Sequence, residues 1–153
     1  MKIKIQLQHP NAKAPTYATD GSACFDLYAA TVSNADSNTG DIVYAGHPVI
    51  CDTGLAFEVP FGYMLKIEPR SGLKFKHGIE AFSGTVDSDY RGGVQVYLES
   101  NGDAEYEPAV RIKPGDRIAQ ACLVPVPRCE FELVEQLTIT ERGAGGFGHT
   151  GRR

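Results

Sequence analysis

Apolar and polar positions alternate with a period of two along most of this chain. Ile3, Ile5 and Leu7 are separated by Lys4 and Gln6, and Leu55, Phe57 and Val59 by Ala56 and Glu58. Tyr63, Leu65 and Ile67 alternate with Met64 and Lys66, and Val94, Val96 and Leu98 with Gln95, Tyr97 and Glu99. Successive side chains of a strand point to opposite faces, so each run predicts a half-buried strand. Residues 48–52, 109–112, 118–126 and 131–137 add further strand candidates, with Gly and Pro between them at short intervals. Helical periodicity nowhere lasts beyond one or two turns. The best short helix is Ser71–His77, with Ser71 as its cap and Gly78 as its terminator. The polar run 33–40 predicts a loop. Together these elements predict an all-β sandwich or barrel of many short strands.

Composition narrows the picture. At 153 residues, 42% of them hydrophobic and 22% charged, the chain suits one domain with a real core. The net charge of −4 argues against a nucleic-acid binder, which carries a basic surface, but leaves a small anionic ligand open. No apolar run reaches membrane length, so no membrane partner is expected, and nothing at the N-terminus resembles a secretory signal. Cys24, Cys51, Cys122 and Cys129 lack C-x-x-C spacing. Reduced thiols in a cytoplasmic or nuclear, non-secreted protein are therefore expected. His9, His47, His77 and His149 are scattered, and no zinc centre is predicted.

The candidate chemistry lies in five stretches. Half of the run from Arg142 to Gly151 is glycine, too little apolar surface to fold alone. It still carries Arg142, which can fork onto a phosphate, Phe147, which can stack on a flat ring, and Thr150. It is a flap that orders over a nucleotide, or a tail without order. Pro69-Arg70-Ser71-Gly72-Leu73 follows a strand and offers a guanidinium, a hydroxyl and an accessible amide: a phosphate site, or a capped turn. In Gly84-Thr85-Val86-Asp87-Ser88-Asp89-Tyr90, two carboxylates two apart on an extended segment point the same way. Asp87, partly shielded beside Val86, is either a turn residue or a general base with the Tyr90 ring above a sugar. Lys113-Pro114-Gly115-Asp116 predicts a tight turn into a strand, where Gln120 breaks the apolar run to satisfy a neighbour or face a ligand. Asp26 sits in an otherwise apolar strand and needs a partner, most simply an arginine.

In this order, the four stretches and the Gly-rich tail resemble the five motifs of the trimeric dUTPase family, the deoxyuridine triphosphate nucleotidohydrolases. The resemblance runs from about residue 18 to residue 151. It implies a jelly-roll-like β domain over 1–138, a flexible C-terminal flap over 139–153, and a homotrimer whose active sites are shared between subunits. The implied reaction is hydrolysis of dUTP to dUMP and pyrophosphate, limiting uracil in DNA and supplying dUMP for thymidylate synthesis. Water attacks the α-phosphorus in line, and Mg2+ rides on the substrate phosphates. By position, Asp87 matches the general base. Arg70, Ser71, Gly72, Gln120, Arg142 and Thr150 match the phosphate contacts. Gly84, Tyr90 and Phe147 match the base and sugar contacts, and Asp26 matches the support of Arg70. The hairpin expected over 79–87 matches the uracil reader, whose backbone groups would leave a wrong base unpaired at roughly 1–3 kcal/mol each.

The chain departs from the family pattern at Cys24, where glycine is usual, at Phe82, usually small, at Thr85, usually aliphatic, and at His149, usually serine. Two rivals remain: a dCTP deaminase on the same fold, which would release ammonia, and a binding protein that keeps the scaffold without turnover.

Overall fold

The computed structural model describes residues 1–34, 42–43, 47–82, 84–100 and 110–146. Its strands are β1 (Lys4–Leu7), β2 (Thr16–Tyr17), β3 (Phe25–Tyr28), β4 (Thr31–Asn34), β5 (Ile42–Val43), β6 (Val49–Asp52) and β7 (Leu55–Glu58). After them come β8 (Tyr63–Glu68), helix α1 (Ser71–His77), β9 (Ile79–Phe82), β10 (Thr85–Val86), β11 (Gln95–Ser100), β12 (Val110–Arg111) and β13 (Arg117–Pro125). One sheet has the order β10-β8-β13-β3-β2 and another β4-β6-β11-β9, with two-stranded ladders β1-β7 and β12-β5 at the margins. Leu27, Leu65, Ile118 and Ala121 of the first sheet share one core with Val49, Cys51, Ile79, Val96 and Leu98 of the second. The result is an all-β sandwich of jelly-roll type, built from the alternation seen in the sequence.

Four local expectations change. Arg70, not Ser71, occupies the cap position of α1: its backbone is extended (φ −93°, ψ 130°) and no side chain caps the helix. Ser71 is already helical, and its hydroxyl is left for other work. Gly78 does end the helix, with φ 61° and its amide donating to the Lys74 carbonyl at 3.0 Å. The polar run 33–40 begins inside β4, because Ser33 and Asn34 pair with Ile50 and Val49; residues 35–40 lie outside the described part. Residues 131–137 form no strand and are exposed. Their alternation is real, but no strand among the described residues offers them a partner edge. β1 forms as a strand, pairing with β7, yet it is not half-buried: Ile5 and Leu7 stay 37% and 57% exposed because nothing among the described residues covers that face.

Candidate active site

The centre of the first sheet draws three of the five stretches together. Gln120 of β13 lies between Asp26 of β3 and Glu68 of β8 on one rung. β8 then runs out through Pro69 into Arg70 and α1. Asp26 is buried, as its apolar strand implies, and it accepts from Arg70 Nε at 3.0 Å. Its second oxygen takes Arg117 Nη1 at 3.3 Å, and Arg70 Nη1 donates to the Arg117 carbonyl at 3.1 Å. Arg117 is the residue sequence reasoning missed. Its only signal was its place at the start of the strand that carries Gln120. Gln120 Nε2 donates to the Pro69 carbonyl at 2.9 Å, so it satisfies a neighbour and fixes the turn that leads to Arg70.

Beyond that turn, the Leu73 and Lys74 amides of α1 donate to the Arg70 carbonyl at 3.1 and 3.0 Å, while the Ser71 and Gly72 amides ahead of them have no acceptor one helical turn back. A Cβ built on Gly72 would meet nothing within 4 Å, so the space above it is open. A guanidinium held by a carboxylate, a free hydroxyl and open amides form a surface suited to phosphate oxygens.

Asp87 stands elsewhere. Val86 faces Leu65 on β8, so Asp87 falls level with Met64, whereas Gln120 faces Glu68 four residues on. At ~3.3 Å per residue, roughly 13 Å of strand separates the two levels. Asp87 is also exposed, not shielded as expected, because it lies just past the short β10 where the ladder ends. The segment after it is a turn and not an extended run: the Tyr90 amide donates to the Asp87 carbonyl at 3.2 Å. Asp87 and Asp89 therefore do not share a strand face. Among the described residues, no side-chain hydrogen bond or ion pair occupies the Asp87 carboxylate, which is left open to a water.

Asp87, Thr85, Val86, Tyr90, Gly93, Val94 and Gln95 line a cleft of about 270 Å³. That lies just below the ~300–1,000 Å³ of complete small-molecule sites, so it holds part of a ligand. The Tyr90 hydroxyl donates to the Gly93 carbonyl at 3.2 Å, and the outer end of its ring packs against Gly92. A Cβ at Gly92 would sit 2.5 Å from Tyr90 Cζ, so any larger residue there displaces the ring. Gly92 is thus a second residue the sequence left unassigned.

The stretch 79–87 is not a hairpin. β9 pairs with β11 in one sheet and β10 with β8 in the other, so the chain crosses between sheets here. Gly84 makes the crossing with φ 70°, and its carbonyl accepts from the Ile67 amide at 3.0 Å. Phe82 is half exposed and meets Tyr97 edge-on at 6.3 Å. Arg142 is exposed, its Nε donating to the Gly145 carbonyl at 2.9 Å, and it joins neither cluster. Phe147 and Thr150 lie outside the described residues, as does His149. Among the described residues, no three His, Cys, Asp or Glu side chains gather as a metal centre, and no helix is long and apolar enough to cross a membrane.

Three comparisons bear on this arrangement. Residues 10–151 match the dUTPase family model. The chain is 46% identical to the deoxyuridine 5'-triphosphate nucleotidohydrolase of Nautilia profundicola, over 99% of this chain and 100% of that protein. It is 40% identical to the enzyme of the same name from Helicobacter pylori, over 99% and 97%. In fold, it is similar to a dUTPase of Staphylococcus bacteriophage 80alpha solved with dUpNHpp, with a TM-score of 0.83, 21% identity and 98% of both chains covered. A dUTPase of Staphylococcus aureus phage phi11, described for its coordination of a structural Mg(II) ion, superposes with a TM-score of 0.76 at 20% identity, over 89% of this chain and 98% of that one. With the family model spanning nearly the whole length and relatives above the identity at which families separate, this chain belongs to the dUTPase family.

Proposed function

We propose that this chain hydrolyses dUTP to dUMP and pyrophosphate, with the Asp87 carboxylate as the general base for a water that attacks the α-phosphorus. The observation that carries this reading is an exposed, unengaged carboxylate beside a ring packed against a glycine, in a cleft sized for part of a nucleotide. A carboxylate with no other partner can accept the proton of such a water. The Tyr90 ring offers an apolar floor to a deoxyribose, and the backbone around Gly84 offers amides and carbonyls to the edge of uracil.

Arg70, Ser71, Gly72 and Gln120 are proposed to hold the phosphates, with Asp26 keeping Arg70 aimed. Gln120 acts through the Pro69 carbonyl as well as through its remaining amide hydrogen. Phosphoryl transfer of this kind rests on positioning and charge neutralisation. The substrate is proposed to arrive with Mg2+ on its phosphate oxygens, since a hard cation of this size keeps several waters and takes substrate oxygens readily. The bound ion would offset phosphate charge that Arg70 alone does not balance.

The separation of Asp87 from the Arg70 cluster along β8 supports a site assembled between copies, and a homotrimer is the proposed unit. The exposed Ile5, Leu7, Phe131 and Leu133 supply apolar surface for such contacts. The arm 139–153 is proposed as the flap, bringing Arg142 and Thr150 to the γ-phosphate and Phe147 to the base.

The test is pyrophosphate release from dUTP, dTTP, dCTP and UTP side by side, with and without Mg2+. Turnover confined to dUTP and dependent on Mg2+ is expected; ammonia release from dCTP would overturn the reading. Asp87→Asn should lower dUTP turnover by roughly 10²–10⁴-fold with the fold intact, because the carboxylate supports no other contact. Native turnover in that variant would remove Asp87 from its role.

A further inference from the structure

The outer face of the first sheet carries a second cluster that the reaction does not use. The β3–β13 ladder pairs Asp26 with Gln120 and Phe25 with Ala121. One antiparallel step further along that register sets Cys24 across from Cys122, near enough for the Cys122 thiol to act on the ionisation of Cys24. On its other side, Cys122 faces Lys66 of β8, which is ion-paired with Glu68. Both cysteines are partly exposed and neither is in a disulfide. Cross-strand neighbours in an antiparallel ladder have Cα atoms ~4.5–5.5 Å apart, within the ~4.4–6.8 Å that a disulfide spans.

We propose that Cys24 and Cys122 form a dithiol that closes to an intramolecular cross-strand disulfide on exposure to a small-molecule disulfide such as oxidised glutathione. One thiolate attacks a glutathione sulfur and releases a glutathione thiolate. The second thiolate then displaces the attached glutathione and forms the Sγ–Sγ bond. Two protons leave the cysteines, and two electrons end on two molecules of reduced glutathione. The closed rung lies two residues from the Asp26–Gln120 rung, or ~7 Å along the strands.

The surroundings set the rate. Burial first, then the neighbouring Cys122 and the charge of Glu68, push the Cys24 thiol above its ordinary range, while Lys66 pulls the other way. Few thiolates are present at neutral pH, so closure is slow there and quickens as pH rises. Cys51 is fully buried and Cys129 exposed, which leaves them as internal controls.

The test incubates the full chain in buffers of increasing oxidised-to-reduced glutathione, quenches with an alkylating agent, and maps peptides by mass spectrometry. Expected is one peptide pair joined through Cys24 and Cys122, lighter by two hydrogens, with Cys51 still alkylated and Cys129 either alkylated or carrying glutathione. Cys24→Gly and Cys122→Ser should each lose the crosslink and retain glutathione on the remaining partner. The proposal is overturned if Cys24 and Cys122 of the wild-type chain stay alkylated or hold stable glutathione adducts at every ratio, or if the crosslink joins different cysteines. The wild-type map decides this without reliance on either variant.

Discussion

Asp26 shows what one buried carboxylate can organise. A charge inside an apolar strand persists only with partners, and it has two, Arg70 and Arg117. Asp26→Ala leaves both guanidinium groups without their acceptor. Because Arg117 is half exposed, the loss is discounted to about 2 kcal/mol. Urea unfolding monitored by circular dichroism should show a lower midpoint at unchanged slope. That an arginine would answer Asp26 was legible from residue type alone, whereas the second arginine was not, because its reach depends on a register no local pattern encodes. Cys51 makes a different prediction. Burial, with a smaller contribution from the Asp116 charge, pushes its thiol up to about 12. The folded state therefore keeps a proton that the unfolded chain loses near pH 9, so this residue's contribution is intact below that pH and is lost as pH climbs toward 12. Each unit within that window costs about 1.4 kcal/mol. Comparing stability from pH 8 to 11 in wild type and Cys51→Ala should show a shallower decline in the variant.

Among the elements, the turn after β10 gives the sharpest test. The Tyr90 ring packs against Gly92, where nothing larger fits. Gly92→Ala should tilt that ring, raising KM for dUTP by roughly tenfold while the circular dichroism spectrum stays unchanged. An unchanged KM would show that the ring does not carry the sugar. The same region shows where pattern reading fell short. Alternation identified β7, β8 and β11 correctly, since both faces of each strand meet fixed surroundings. The hairpin implied by the resemblance over 79–87 is instead a crossing at Gly84, because two strands close in sequence can belong to different sheets. The further strand candidate at 131–137 forms no strand, because no partner edge is there among the described residues. The short helix followed its glycine stop faithfully, and its cap fell one residue early.

For the whole molecule, the decisive feature is that Asp87 and the Arg70 cluster occupy different levels of the sheet. If each site combines Asp87 of one copy with Arg70 of another, two inactive variants can rescue each other. Asp87→Asn and Arg70→Ala, co-expressed in equal amounts, should recover activity in roughly a quarter of the sites by random assembly. Separately purified variants should recover none, and failure of the co-expressed mixture would confine each site to one chain. Sedimentation of the wild type should show three copies per particle. Removal of 142–153 should leave thermal unfolding in place, because among the described residues the hydrogen bonds of Arg142–Gly145 stay within the arm, while dUTP turnover falls.

The sequence by itself determined the all-β class, the strands whose two faces differ in burial, and the identity of the groups able to do the chemistry. Those properties follow from side-chain periodicity and residue type, which are local. Only the tertiary structure decided which groups meet: Asp26 with two arginines, Gln120 with the Pro69 carbonyl, Cys24 with Cys122, and Asp87 with none of them. Each of these is a matter of strand register and sheet order, where one step along a ladder moves a side chain by ~3.3 Å and turns it to the opposite face.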